Sequence, residues 1–168
     1  RTVGATWTRG IEETAFPDRG TGYNYFDGTA WGPIPTERVE SERCGWPSYG
    51  AYGEAGEYTF SPNGVDALVF NTRDVKGTGT WVESTLAGPV GHLDLVWPRA
   101  VTNGTDNTTF HVFSTTTPVG NGGAIYNGMD GALLYNRSLD GGVTWDINNI
   151  QLPEVTSDEY LAIGGDYY

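Results

Sequence analysis

The 168 residues carry 21 acidic and 9 basic side chains, a net charge of −12, with 25 glycines, 9 prolines, 6 tryptophans and 10 tyrosines. That length supports one domain with a sizeable core, and the glycine- and aromatic-rich composition is that of a turn-rich β protein. The acidic balance repels phosphate backbones and argues against nucleic acid, no apolar run reaches membrane-spanning length, and the single cysteine, Cys44, has no internal disulfide partner.

Alternating apolar residues predict strands, in chain order, over 2–8, 22–26, 30–40, 46–52, 57–61, 66–71, 80–86, 97–102, 109–115, 132–137, 144–152 and 160–168. Three tryptophans close similar turns: Asp27-Gly28-Thr29-Ala30-Trp31, Gly77-Thr78-Gly79-Thr80-Trp81 and the turn ending at Trp145. A Trp-Pro pair follows the first two, at Trp46-Pro47 and Trp97-Pro98. The turn tryptophans at 31, 81 and 145 are 50 and 64 residues apart, and a repeat near 50 residues with one turn tryptophan per unit points to antiparallel four-stranded blades of a β-propeller. The units read as an incomplete blade over 1–44, a blade over 45–88, a blade over 92–153, and the first strand of a further blade over 154–168. About three blades' worth of sheet does not close a ring, so the chain is expected to be a piece of a larger propeller; the alternatives are that other chains complete the ring or that the strands form an open twisted sheet.

In such an architecture the loops joining second to third strands, and fourth strands to the next blade, build one face. They are 9–21, 41–45, 62–65, 87–96, 116–131 and 153–159, and long loops in compact domains often carry function. Arg9, Glu12, Asp18, Arg19, Arg43 and Trp46 mix charge with an aromatic ring, as sugar or peptide binding requires. Tyr126 and Asp130 end the glycine-rich loop and complete the candidate ligand-binding set. Adjacent carboxylates at Glu12/Glu13 and Asp158/Glu159 point apart on a strand and read as solvated charges, not as a glycosidase pair. His92 and His111 are the only histidines, and no catalytic residue, metal ligand or cofactor is assigned. Cys44 reads as a small buried hydrophobe.

Residues 138–145, Ser-Leu-Asp-Gly-Gly-Val-Thr-Trp, match S-x-D-x-G-x-T-W at every defined position. The chain thereby resembles the Asp-box (BNR-repeat) propellers of the sialidase-like superfamily. The resemblance implies a hairpin turn between third and fourth strands, with Ser138, Asp140, Gly142, Thr144 and Trp145 as its structural residues. Segments 4–8, 16–28 and 45–48 are similar to propeller regions of secreted Bacteroidota proteins that end in a type IX secretion sorting domain. That similarity implies an extracellular or cell-surface location. Sialidases clamp a carboxylate with three arginines and carry a Phe/Tyr-Arg-Ile-Pro motif; here Ile34-Pro35 follows Gly32-Pro33, with no arginine. The expected role is a non-catalytic binding module for a glycan or a partner protein. The alternatives are part of a glycan-active enzyme of the sialidase-like class, and a structural subunit of a surface assembly whose ring another chain completes.

Overall fold

The computed structural model describes residues 1–165. Among the described residues, ten strands form three antiparallel sheets. The first pairs β1 (Val3–Arg9) with β2 (Gly20–Phe26). The second is a meander of β3 (Ser48–Tyr52), β4 (Gly56–Pro62), β5 (Leu68–Arg73) and β6 (Val82–Leu86). The third runs β7 (Leu95–Asn103), β8 (Thr109–Thr116), β9 (Leu133–Ser138) and β10 (Ile147–Gln151) in the same order. One 3-10 turn, Val119–Asn121, interrupts the β8–β9 connection. The chain is nearly all-β, with two antiparallel four-stranded sheets of the propeller-blade kind and one two-stranded ribbon.

Alternation assigns the faces. In β4, Tyr58 and Phe60 point to the third sheet, while Glu57, Thr59 and Ser61 point to the first. Phe60 and Phe70 are cross-strand partners with rings 4.8 Å apart, and both meet Phe110 of β8, at 5.3 and 6.2 Å. Leu68, Leu86, Leu95, Val112 and Leu134 fill the space around them. The phenol of Tyr58 donates to the Ala100 carbonyl at 2.5 Å, which satisfies its buried hydroxyl inside this aromatic seam.

Two expected strands are corrected. Over 30–40 there is one isolated bridge, Phe26–Trp31, and no continuous strand. Pro33 and Pro35 each lack the N–H that a ladder needs. The chain regains only single bonds to β2, such as Val39 N–H to the Thr21 carbonyl at 2.9 Å. Over 160–165 there is likewise no strand. Ala162 makes one parallel bridge to Asp130, and the turn Thr156–Tyr160 closes just before it. A strand forms only against a continuous ladder partner, and among the described residues this segment is paired only at 161–163, with Asp130 and Gly131. The rest of that expected strand, 166–168, lies outside the described residues.

The 138–145 turn is held by its own side chains. Ser138 Oγ accepts from the Gly142 N–H at 2.8 Å, and Asp140 accepts from the Thr144 N–H at 2.8 Å and its hydroxyl at 2.6 Å. Gly141 and Gly142 take φ of 75° and 91°, open to glycine at little cost. These bonds, the Thr144 hydroxyl first, pull the Asp140 carboxyl down to about 2. The turn delivers Trp145 edge-on to Phe60 and Phe70, at 6.4 and 6.0 Å.

Candidate functional site

The loops after β1, before β3, before β7 and after β8 gather at one end of the sheets and form two separate clusters. In the first, Arg9 ends β1 and forms a closed ion pair with Asp18 at 3.1 Å, while donating to the Thr36 carbonyl at 2.6 Å. Asp18 also accepts from the N–H groups of Ile11 and Glu12, at 2.9 and 3.0 Å. The Glu12 bond leads in holding its carboxyl below the usual range. Arg9, Glu12 and Asp18 thus come together around a polar cavity of about 440 Å³, but Arg9 and Asp18 are spent on each other and on backbone groups, Asp18 within its loop and Arg9 at Thr36.

Arg43 is spent in the same way. It donates to the carbonyls of Ala15 and Phe16, at 2.9 and 3.1 Å. Thr14, Ala15 and Phe16 have φ of 64°, 63° and 48°, three successive left-handed residues that cost about 1–2 kcal/mol each. The guanidinium holds that turn closed.

The second cluster is an open cleft between the starts of β3 and β7. Trp46 and Trp97, the two residues of the Trp-Pro repeat, both sit at φ 51°. That conformation is rare for a bulky side chain and marks a position held by its surroundings. Its consequence at β7 is a register shift between Val96 and Arg99. Trp46 is 52% exposed. The Arg19 guanidinium lies over its ring at 4.6 Å and donates Nε–H to the Cys44 carbonyl at 2.9 Å. Arg19 therefore pairs with the indole and not with the neighbouring Asp18. Trp46, Trp97, Arg19, Pro62, Asp94 and Asn121 line a cavity of about 290 Å³.

Asp94 is the functional candidate that the sequence reading did not single out. Its Oδ2 accepts the Thr117 hydroxyl at 2.7 Å, while its Oδ1 is buried and has no partner among the described residues. Burial pushes its carboxyl above the ordinary value; Thr117 offsets part of that shift and Asp66 adds to it. The available signal was position. Asp94 stands three residues before Trp97-Pro98, where Arg43 stands before Trp46-Pro47, and the loop 87–96 belonged to the expected face.

Tyr126 and Asp130 do not line the Trp46 cavity. Tyr126 meets His92 edge-on at 5.0 Å, and Asp130 accepts the Val119 N–H at 2.7 Å. Cys44 is buried, and burial pushes its thiol well above its usual range. His111 stands on β8 against the Tyr135 hydroxyl, at 2.6 Å. Among the described residues, no three His, Cys, Asp or Glu side chains gather where a metal ion could sit, and no helix is long and apolar enough to cross a membrane. Arg9, Arg19 and Arg43 do not converge into a carboxylate clamp.

No protein-family model matches the chain, and no curated protein matches it. Its fold is similar to a solved structure from Bacteroides ovatus, the GH43B of the xyloglucan PUL, with a TM-score of 0.56 and 15% identity over 90% of this chain. That protein is a GH43 glycoside hydrolase with a propeller fold. The chain spans 27% of its length. At that identity the likeness establishes the propeller-type β architecture.

Proposed function

We propose that this chain is the glycan-binding part of an extracellular or cell-surface β-propeller, completed by further blades or by another protein chain. One observation carries the reading. An indole is held at φ 51° with 52% of its surface exposed, backed by Arg19 and facing the cleft that holds the unpaired Oδ1 of Asp94. A flat ring stacks on the apolar face of a sugar, and a buried acceptor takes a sugar hydroxyl. The glycan context of the structural neighbour supports the same chemistry, and the type IX-like segments support export. The Ser138–Trp145 turn supports kinship with the Asp-box propellers. Calorimetric titration with a panel of plant cell-wall oligosaccharides tests it. Binding is expected, weakened at least tenfold by Trp46→Ala; no heat with any glycan overturns it.

A second reading, catalysis on glycans by the complete propeller, is favoured by the raised carboxyl of Asp94, since glycosidases pair a raised carboxylic acid with an ionised partner. It expects release of reducing sugar by the complete protein, abolished by Asp94→Asn with binding retained. Retained hydrolysis in that variant removes Asp94 from the chemistry. A third reading, a structural subunit, is favoured by the outer face of β7–β10. There Phe113 stacks on Tyr135 at 5.0 Å, with Val101 and Ile150 exposed beside them. It expects a stable complex in which a second chain covers that face.

A further inference from the structure

The cleft does not end at Trp46. The hollow beside the indole shares Gly64, Asp94, Thr117 and Asn121 with a second hollow of about 420 Å³. The second hollow continues past His92 to Gly122, Gly123 and Ala124. The two differ in character. The first presents rings and apolar edges from Trp46, Trp97, Val96 and Pro62. The second is lined in part by Gly64, Gly91, Gly122 and Gly123, whose missing side chains leave room beside the backbone for a polar ligand. Asp94 stands at the junction, one carboxylate oxygen bonded to Thr117 and the other buried without a donor among the described residues. A buried oxygen in that state costs free energy until a donor reaches it.

Size and charge narrow the ligand. Small-molecule sites span about 300–1,000 Å³. The first hollow, at about 290 Å³, lies at the bottom of that range, and the two joined lie well inside it. The net charge of −12 and the carboxylates of Asp94 and Asp66 disfavour an anionic ligand.

We infer that the cleft is a two-subsite groove for a neutral oligosaccharide. One sugar ring stacks on Trp46, the next lies over the second hollow, and Asp94 accepts a hydroxyl where they meet. The inference rests on the glycan-binding reading and adds ligand length and polarity to it.

The test is calorimetric titration of the full chain with two length series, glucose to cellotetraose and xylose to xylotetraose, with oligogalacturonides as the charged control. In at least one neutral series the affinity is expected to rise tenfold or more from one sugar to two or three, and to exceed that for the charged oligomers. Ala124→Trp fills the second hollow from an exposed position. It is expected to abolish the gain with length while leaving the near-ultraviolet circular dichroism unchanged. Trp46→Ala is expected to weaken every member. Equal affinity for one sugar and four, an unaltered length dependence in Ala124→Trp, or tighter binding of the charged oligomers overturns the groove. Each leaves the glycan-binding reading standing if Trp46→Ala still weakens the ligand. Absence of binding in both neutral series, with no binding across the wider glycan panel, overturns both.

Discussion

On one face of the β3–β6 sheet, Phe60 and Phe70 meet Phe110 and Trp145 in an aromatic seam. On the other face, Glu57 and Arg73 are cross-strand partners, buried between the second sheet and the first. Arg73 donates Nε–H to Glu57 at 2.7 Å and is sandwiched between the rings of Tyr23 and Trp81, at 4.6 and 4.2 Å. Glu57 also accepts from the Tyr49 hydroxyl and from the Gly77 N–H, at 2.9 Å for the latter. Further along, Thr21 bonds the buried Glu40 and Ser61. The aromatic seam gains stability from area and packing. The polar seam recovers its desolvation cost only if every group is paired, and its directional bonds accept a single register. The difference suits their contents: β1–β2 is a two-stranded ribbon with little apolar surface to fix its position, whereas the two four-stranded sheets have ample.

The largest effect is expected in the aromatic seam. Phe110 touches Tyr52, Tyr58, Phe60 and Phe70, so Phe110→Ala leaves a cavity facing both sheets. A loss of about 3–5 kcal/mol is expected, read as a drop in the denaturant midpoint. A loss under about 1 kcal/mol would mean that the sheets do not depend on this contact.

Arg73→Ala comes next, at about 3 kcal/mol, because it strands a buried carboxylate. The bonds from Tyr49 and Gly77 keep the loss at the lower end of the usual range. Replacing both partners by methionine is expected to restore part of it, since no charge is left unpaired while the Tyr49 hydroxyl and the Gly77 N–H lose their acceptor. A double variant as unstable as Arg73→Ala would show that the seam needs the ion pair itself. Under the first outcome the polar seam serves register; under the second it serves stability.

The two seams also differ in how far the sequence revealed them. The aromatic seam was legible: Thr-Phe-His-Val-Phe over 109–113 alternates with period two, and a buried face follows directly. The 138–145 turn was legible too, because its bonds are local and its residue types few. Glu57 and Arg73 were not, since a charged residue in an alternating strand reads as solvent-facing until a second sheet covers it. Gly32-Pro33-Ile34-Pro35 carried enough apolar character to pass for a strand, and the missing N–H groups decided otherwise. At the candidate site, Arg19 and Trp46 were legible as residue types. Their juxtaposition with Asp94 depends on two loops 48 residues apart in the chain, Trp46 to Asp94, meeting at the strand starts. Arg9 and Arg43 looked equally suited to a ligand, and only the structure shows that Arg43 is consumed by the loop 9–21 and Arg9 by Asp18 and the Thr36 carbonyl.

The smallest effect concerns the turn that aims Trp145 into the aromatic seam. Ser138 is buried, and its hydroxyl accepts from the Gly142 N–H while donating to Asp140 at 2.8 Å. Ser138→Ala removes both bonds and is expected to cost about 1 kcal/mol. Asp140→Asn separates the charge from the turn geometry. The Asp140 carboxyl titrates at about 2 in the folded protein and near about 3.9 when unfolded. Its stabilising contribution is therefore complete above about pH 4 and is lost as pH falls towards 2. The difference in midpoint between wild type and Asp140→Asn is expected to shrink over that window and to stay constant above it. A difference that persists unchanged to pH 2 would mean that shape, not charge, holds the turn; Trp145 would then be positioned by the aromatic seam it enters, and the turn would follow the packing.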